Sequence, residues 1–214
     1  MPTFPELRVP RTLLVTDSRR LVPDGSPQQR IAALERQARE AFAAGVDAIQ
    51  LREPSFTGAD LLTAARALAP LGPLIVNDRA DIALASGASG VHLRADGPEP
   101  RRVRALVGPS LTLSRAVHSA AEAAAWPADG PVDWVIAGTV FETASKPGRA
   151  PIGAGGLAAI VRASAVPVVA IGGITAANSL AVFDAGAAGI AAIALFLPLI
   201  RAEHVDRLRD RSLE

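Results

Sequence analysis

Polar side chains that could bind a phosphorylated ligand follow short apolar runs in this 214-residue chain. Gln50 and Arg52 alternate at the end of one run, so their side chains are expected on the same face of a strand. Two long polar side chains inside a barrel are costly unless they have partners. The pair is therefore either a structural network or a ligand site in which the arginine grips a phosphate with two hydrogen bonds.

The next two apolar runs are followed by acidic residues. Asn77 and Asp78 end one run, and Asp96 follows the other. Asp78 could cap the next helix, and Asp96 could be an ordinary turn residue. Together, the two carboxylates could hold Mg²⁺, which prefers oxygen ligands and diphosphate groups.

Two further segments and two histidines complete the candidate site. Gly172 and Gly173 could expose backbone N–H groups to a phosphate, or could simply form a tight turn. Lys146, the only lysine beside 21 arginines, lies in a glycine-rich loop of the kind that forms lids. His118 could act as a general acid or base, whereas His92, inside an apolar run, favours a hydrogen-bonded core histidine.

Eight apolar runs supply the elements that must position these residues. They read as continuous strands buried on both faces, at residues 13–16, 48–52, 74–77, 90–93, 111–116, 134–138, 166–171 and 189–194. Apolar residues spaced by three and four predict helices at 28–44, 60–68, 156–163 and 178–185. The alternation predicts a compact α/β protein with a (β/α)8 TIM barrel, whose chemistry lies at the carboxyl ends of the strands. An open doubly wound sheet is the alternative, but the expected glycine fingerprint is absent after the first run.

We expect a single domain over residues 1–214, with residues 1–11 as an N-terminal extension. The net charge of +1 and the lack of any basic run argue against nucleic-acid or membrane partners. Cysteine is absent, which excludes disulfides and thiolate chemistry. The longest apolar stretch, 189–200, is shorter than the roughly 20 residues of a membrane-spanning helix. A cytoplasmic protein is expected, and the sequence leaves open whether it forms a homo-oligomer.

The strand ends resemble those of the thiamine-phosphate synthase and thiazole tautomerase family, in the same order and over nearly the whole chain. The matching segments are Leu14-Val15-Thr16-Asp17, Gln50-Leu51-Arg52-Glu53, Val76-Asn77-Asp78-Arg79, Gly90-Val91-His92-Leu93, Val117-His118-Ser119, Val140-Phe141-Glu142-Thr143 with Lys146, and Ala170-Ile171-Gly172-Gly173-Ile174.

The resemblance implies a barrel enzyme of thiamine biosynthesis, a transferase acting on small phosphorylated substrates. Magnesium-bound hydroxymethylpyrimidine diphosphate would lose pyrophosphate, and the nitrogen of thiazole phosphate would capture the pyrimidine cation. By this match Gln50, Arg52 and Asn77 would bind the pyrimidine diphosphate, and Lys146 would neutralise the leaving pyrophosphate. Asp78, with Asp96 nearby, would bind Mg²⁺. Thr143, Ser145 and Gly173 would bind the thiazole phosphate. Gly172, Ile193 and Ala194 are expected among the other substrate-binding residues.

Departures from the family pattern leave two alternatives open. A lysine is expected where this chain has Pro54, and the second magnesium aspartate is expected at Gly97. Polar residues are expected at Ala116 and at the Ile193-Ala194 pair. The tautomerase branch rearranges a carboxythiazole phosphate without metal, but its expected histidine is Thr139 here. His118 could substitute for it. The other alternative is a non-catalytic protein that binds thiazole phosphate or thiamine phosphate.

Overall fold

The computed structural model describes residues 9–127, 130–143, 148, 150–196 and 205. Within them, eight parallel strands pair in sequence order, and β1 pairs with β8 to close a barrel. The strands are β1 Thr12–Val15, β2 Ala48–Leu51, β3 Leu74–Asn77, β4 Gly90–Leu93, β5 Thr112–Val117, β6 Trp134–Gly138, β7 Val168–Ile171 and β8 Gly189–Ala192. Each lies within two residues of its predicted run, so the predicted (β/α)8 barrel is confirmed.

Helices connect the strands around the outside of the barrel. They are α1 Ser18–Leu21, α2 Pro27–Ala43, α3 Gly58–Leu68, α4 Ala80–Ser86, α5 Pro100–Val107, α6 Ala120–Ala124, α7 Gly153–Ala163 and α8 Ser179–Asp184. Local sequence sets where two of the three longest helices begin: the side chains of Ser26 and Gln29 form a capping box before α2, and those of Thr57 and Asp60 form another before α3. No helix in the described part of the chain is both long and apolar enough to cross a membrane.

The barrel interior is filled by side chains that alternate along the strands. One buried cluster combines residues of six strands: Leu13, Val15, Ala48, Ile75, Trp134, Ile136, Val169 and Ala191. Trp134 is 1% exposed, and its indole N–H has no hydrogen-bond partner among the described residues. Val9 packs against the same cluster from the N-terminal side. The described part of the N-terminal segment therefore packs on the barrel core.

A buried carboxylate ties together the loops that follow β1 and β2. Glu53 is 6% exposed and accepts hydrogen bonds from the backbone N–H of Ser18 at 2.9 Å and from its hydroxyl at 2.6 Å. The hydroxyl of Thr16 accepts the backbone N–H of Arg52 at 3.0 Å. These bonds hold Arg52 in place at the carboxyl end of the barrel.

We expect Glu53→Ala to lower the free energy of unfolding by about 2–4 kcal/mol, because two buried donors on Ser18 lose their acceptor. Urea denaturation measures the change. The control is Glu35→Ala, which removes an exposed ion pair with Arg39 and should change stability by less than about 1 kcal/mol. Equal effects of the two substitutions would contradict the structural role of Glu53.

Candidate active site

A cavity of about 700 Å³ opens at the carboxyl ends of the strands, and all eight strands or the loops that follow them contribute to its lining. Ten of the residues predicted from sequence line it: Gln50, Arg52, Asn77, Asp96, His118, Thr143, Gly172, Gly173, Ile193 and Ala194. Asp78 lies beside it, paired with the lining residue Arg94. Ser145 and Lys146 lie outside the described residues. The barrel topology thus gathers side chains that are distant in the sequence.

A relay of hydrogen bonds runs along the floor of the cavity. The side-chain amide of Gln50 donates to the carbonyl oxygen of Asn77 at 3.0 Å, and the amide of Asn77 donates to Asp78 Oδ2 at 3.1 Å. An ionised carboxylate can only accept, so Asp78 fixes the direction of both amides. Gln50, 3% exposed, is left with its Oε1 buried and unpartnered among the described residues. The relay therefore presents an acceptor that a ligand donor could satisfy.

Asp78 is also paired with Arg94, a residue that the sequence analysis did not select. The Nε of Arg94 lies 2.6 Å from Asp78 Oδ2, and its backbone N–H donates to Asp78 Oδ1 at 2.9 Å. Asp78 adopts a left-handed backbone conformation, with φ of 59°. Few non-glycine residues adopt that conformation, although Asp tolerates it better than most. Asp96 is 80% exposed, and its Oδ1 lies 3.7 Å from Arg94 Nε.

This arrangement does not fit a magnesium ion bound by Asp78 and Asp96. One guanidinium is paired with Asp78 and also faces Asp96, and the side chain of Asp96 is turned mostly to solvent. Two unit charges 4 Å apart interact by about 4 kcal/mol at an effective dielectric of about 20, and a divalent ion doubles that repulsion from the guanidinium. Among the described residues, no group of three or more acidic or histidine side chains could hold a metal. The assignment of Asp78 and Asp96 as metal ligands stays a prediction that the geometry does not favour.

A second Asp–Arg pair lies just beyond the cavity, at the start of α4. Arg79 donates to both carboxylate oxygens of Asp81, at 2.8 and 2.6 Å. These hydrogen bonds lower the pKa of the Asp81 carboxyl and raise the pKa of Arg79. Both side chains are exposed, and neither lines the cavity. This pair therefore offers a matched comparison for the pair inside the site.

Of the three described arginines that line the cavity, Arg20 and Arg94 are ion-paired and Arg52 is not. Its side chain is exposed at the cavity, and within the described ranges its guanidinium forms no hydrogen bond or ion pair. Its backbone is fixed by the hydroxyl of Thr16. An unpaired guanidinium on a fixed backbone can bind a phosphate group with two parallel hydrogen bonds.

The two histidines at the cavity differ in their surroundings. His118 Nδ1 lies 2.6 Å from the carbonyl oxygen of Gly138. A carbonyl only accepts, so Nδ1 carries the proton and Nε2 is the nitrogen left to act toward a ligand. His92 is buried, and its Nδ1 lies 2.9 Å from the hydroxyl of Ser114, as predicted for a hydrogen-bonded core histidine.

The twin glycines are required by the close approach of two loops. Gly172 and Gly173 have φ of 107° and 64°, and the carbonyl of Gly172 accepts the N–H of Phe141 at 2.9 Å. A Cβ on Gly173 would overlap the carbonyl oxygen of Glu142 and lie 2.8 Å from Phe141 Cβ. Both residues therefore adopt the positive φ that a glycine allows. The backbone N–H groups of Gly173 and Ile174 donate to no described residue, so they are available to a ligand.

The fold and the cavity define a TIM-barrel protein with an arginine-lined site at the carboxyl ends of its strands. The family described as thiamine monophosphate synthase matches residues 21–196. The chain belongs to this family.

Individual relatives agree with that family assignment. The chain is 44% identical to a thiamine-phosphate synthase of Methanoculleus marisnigri, over 73% of this chain and 76% of the relative. It is 36% identical to one of Koribacter versatilis, over 88% and 89%. Among solved structures, thiamine phosphate pyrophosphorylase of Pyrococcus furiosus is 30% identical with a TM-score of 0.78, covering 98% of both chains.

Proposed function

We propose that this protein is a thiamine-phosphate synthase, a transferase that joins hydroxymethylpyrimidine diphosphate to thiazole phosphate and releases pyrophosphate. Membership of the thiamine monophosphate synthase family supports the reaction. The observation that carries the proposal is the pairing of two groups on one cavity. Gln50 offers a buried, unpartnered acceptor, and Arg52 offers an unpaired guanidinium.

The reaction suits these groups because it needs anion stabilisation more than it needs a base. The bond between the pyrimidine methylene carbon and the diphosphate oxygen breaks, and its electron pair leaves with the pyrophosphate. The ring nitrogen of thiazole phosphate then forms the new bond to the methylene carbon, and no proton has to be removed from that nitrogen. Arg52 stabilises the charge that develops on the leaving group. Gln50 accepts a hydrogen bond from the pyrimidine and orients it.

The loop at Gly172–Gly173 provides the second phosphate site in this proposal. Free backbone N–H groups of Gly173 and Ile174 would bind the phosphate of the thiazole, and Thr143, Ile193 and Ala194 line the space around it. His118 faces the same cavity with its Nε2 available for a proton. Its part in the reaction stays a prediction, as do the assignments of Ser145 and Lys146.

A pyrophosphate-release assay with both substrates tests the proposal, with mass detection of thiamine phosphate and with each substrate omitted in turn. Pyrophosphate release that requires both substrates is the expected result. Isomerisation of a carboxythiazole phosphate without pyrophosphate release would instead indicate a tautomerase. Binding of thiazole phosphate without turnover would indicate a non-catalytic relative. Either of these two results contradicts the proposal.

We expect Asn77→Ala to raise KM for the pyrimidine diphosphate about tenfold while lowering kcat less. The substitution removes the acceptor of the Gln50 amide, so the buried Gln50 acceptor is no longer held in one orientation, a loss of about 1.4 kcal/mol. Steady-state kinetics with the diphosphate varied measure the effect. Thr63→Ala, an exposed polar-to-alanine change on α3, is the control and should leave KM unchanged. An unchanged KM in Asn77→Ala would show that the relay does not orient the substrate.

A further inference from the structure

We propose that Arg94 takes the place of a divalent cation in this chain, binding the diphosphate directly so that diphosphate binding does not depend on Mg²⁺. The inference rests on the proposed function, because it concerns the diphosphate end of that substrate. It follows from three features of the loop after β4. Arg94 is paired with Asp78, its guanidinium donates no hydrogen bond to a described residue, and Gly97 supplies no carboxylate opposite Asp78.

Arg94 is paired with Asp78 through an ion pair and a backbone hydrogen bond. The Nε of Arg94 faces Asp78 Oδ2 at 2.6 Å, and its backbone N–H is bound to the other oxygen of the same carboxylate. The guanidinium of Arg94 donates no hydrogen bond within the described ranges, and its side chain lines the cavity. The ion pair places the guanidinium beside Asp78, and its terminal nitrogens donate no hydrogen bond to a described residue. Terminal guanidinium nitrogens without such bonds can bind a phosphate with two hydrogen bonds.

The residues around Asp78 lack the negative charge that would attract a divalent ion. A Cβ at Gly97 would lie 3.2 Å from Asp78 Oδ1, so position 97 faces Asp78 but supplies no carboxylate. Asp96 is 80% exposed and lies near Arg94 rather than opposite Asp78. The single charge of Asp78 is thus balanced by Arg94, and the pair as a whole is neutral. A positive group is already present where the resemblance implies a metal between two carboxylates.

Calorimetric titration with inorganic pyrophosphate, in excess EDTA and in excess Mg²⁺, tests the proposal on the full chain. We expect pyrophosphate to bind in EDTA with a Kd within about threefold of its value in Mg²⁺. Arg94→Ala should weaken binding in EDTA by about tenfold or more. Arg79→Ala is the matched control: it removes an arginine that is 45% exposed, against 59% for Arg94, from an Asp–Arg pair outside the cavity, and it should leave the Kd unchanged. Binding that requires Mg²⁺, no binding in either buffer, or an unaffected Arg94→Ala would each overturn the proposal.

A second variant replaces the guanidinium near Asp78 by a carboxylate that could bind Mg²⁺. The double substitution Arg94→Ala with Gly97→Asp removes the guanidinium and places a carboxylate opposite Asp78, which restores the donor chemistry that Mg²⁺ prefers. Pyrophosphate binding by this variant should recover only when Mg²⁺ is present. Recovery of equal size in EDTA, or none in Mg²⁺, would contradict the proposal.

Turnover with both substrates separates this inference from the proposed function. If EDTA abolishes synthase activity, the role proposed for Arg94 is wrong and the proposed transferase function stands. If pyrophosphate binds without metal, this binding is lost in Arg94→Ala, and no turnover occurs, the role of Arg94 stands and the proposed transferase function is wrong.

Discussion

Replacing Arg52 by alanine should lower kcat/KM for the pyrimidine diphosphate by about 100- to 1,000-fold, or about 3–4 kcal/mol of transition-state stabilisation. The guanidinium lines the cavity and forms no hydrogen bond or ion pair in the described part of the chain. Its charge is therefore available to the leaving pyrophosphate. Stability should change little, because an exposed side chain without partners contributes little to folding. Steady-state kinetics and urea denaturation measure the two quantities.

Two variants make the Arg52 result specific. Arg52→Lys keeps the charge but loses the planar fork, so it should recover only part of the activity. Arg39→Ala removes an exposed arginine of α2 on the outside of the barrel and should behave as the unmodified protein. Activity of Arg52→Ala within about threefold of the unmodified protein would refute the role given to Arg52, since a lost charge at a developing anion is worth far more.

Replacing Gly173 by alanine should have the largest effect on folding and also abolish activity. The new Cβ would overlap the carbonyl oxygen of Glu142 and crowd Phe141, and φ is 64° at this position. Overpacking against backbone typically costs about 1–3 kcal/mol, and the left-handed conformation adds about 1–2 kcal/mol. We expect a total loss of about 3 kcal/mol or more in the free energy of unfolding. The loops after β6 and β7 would then move apart at the cavity rim.

Gly87→Ala separates the two contributions at Gly173. Gly87 has φ of 72°, but a Cβ there would meet no atom within 4 Å. Its substitution therefore measures the conformational contribution alone, which we expect to be about 1–2 kcal/mol with activity unchanged. A loss in Gly173→Ala no larger than the loss in Gly87→Ala would show that the two loops can relax. The steric requirement at Gly173 would then be wrong.

The barrel could be predicted from the sequence because strands covered on both faces are continuously apolar. All eight strands were located in this way, as were the four helices with a clear apolar stripe. Four helices, α1, α4, α5 and α6, were not predicted. Each has between four and eight residues, so each offers few positions from which to establish a periodic pattern.

The candidate site could be predicted only as far as strand topology determines it. Gln50, Asn77 and His118 lie at or next to strand ends, so barrel closure alone brings them to one cavity. Arg94 and Asp96 lie in a loop, where backbone conformation decides which side chain faces Asp78. The sequence favoured Asp96 as its companion, yet Arg94 is the residue held against Asp78. Neither the left-handed conformation of Asp78 nor the direction of Arg94 is encoded in residue spacing.

The indole enclosed by the barrel gives this protein a built-in optical signal. The chain has two tryptophans and no tyrosine, so its ultraviolet emission comes almost entirely from Trp134 and Trp126. Trp134 is surrounded by aliphatic side chains, whereas Trp126 is half-buried under the guanidinium of Arg115. Opening the barrel transfers Trp134 from an apolar setting to water, which moves its fluorescence to longer wavelengths. The denaturation experiments above can therefore be followed without an attached dye.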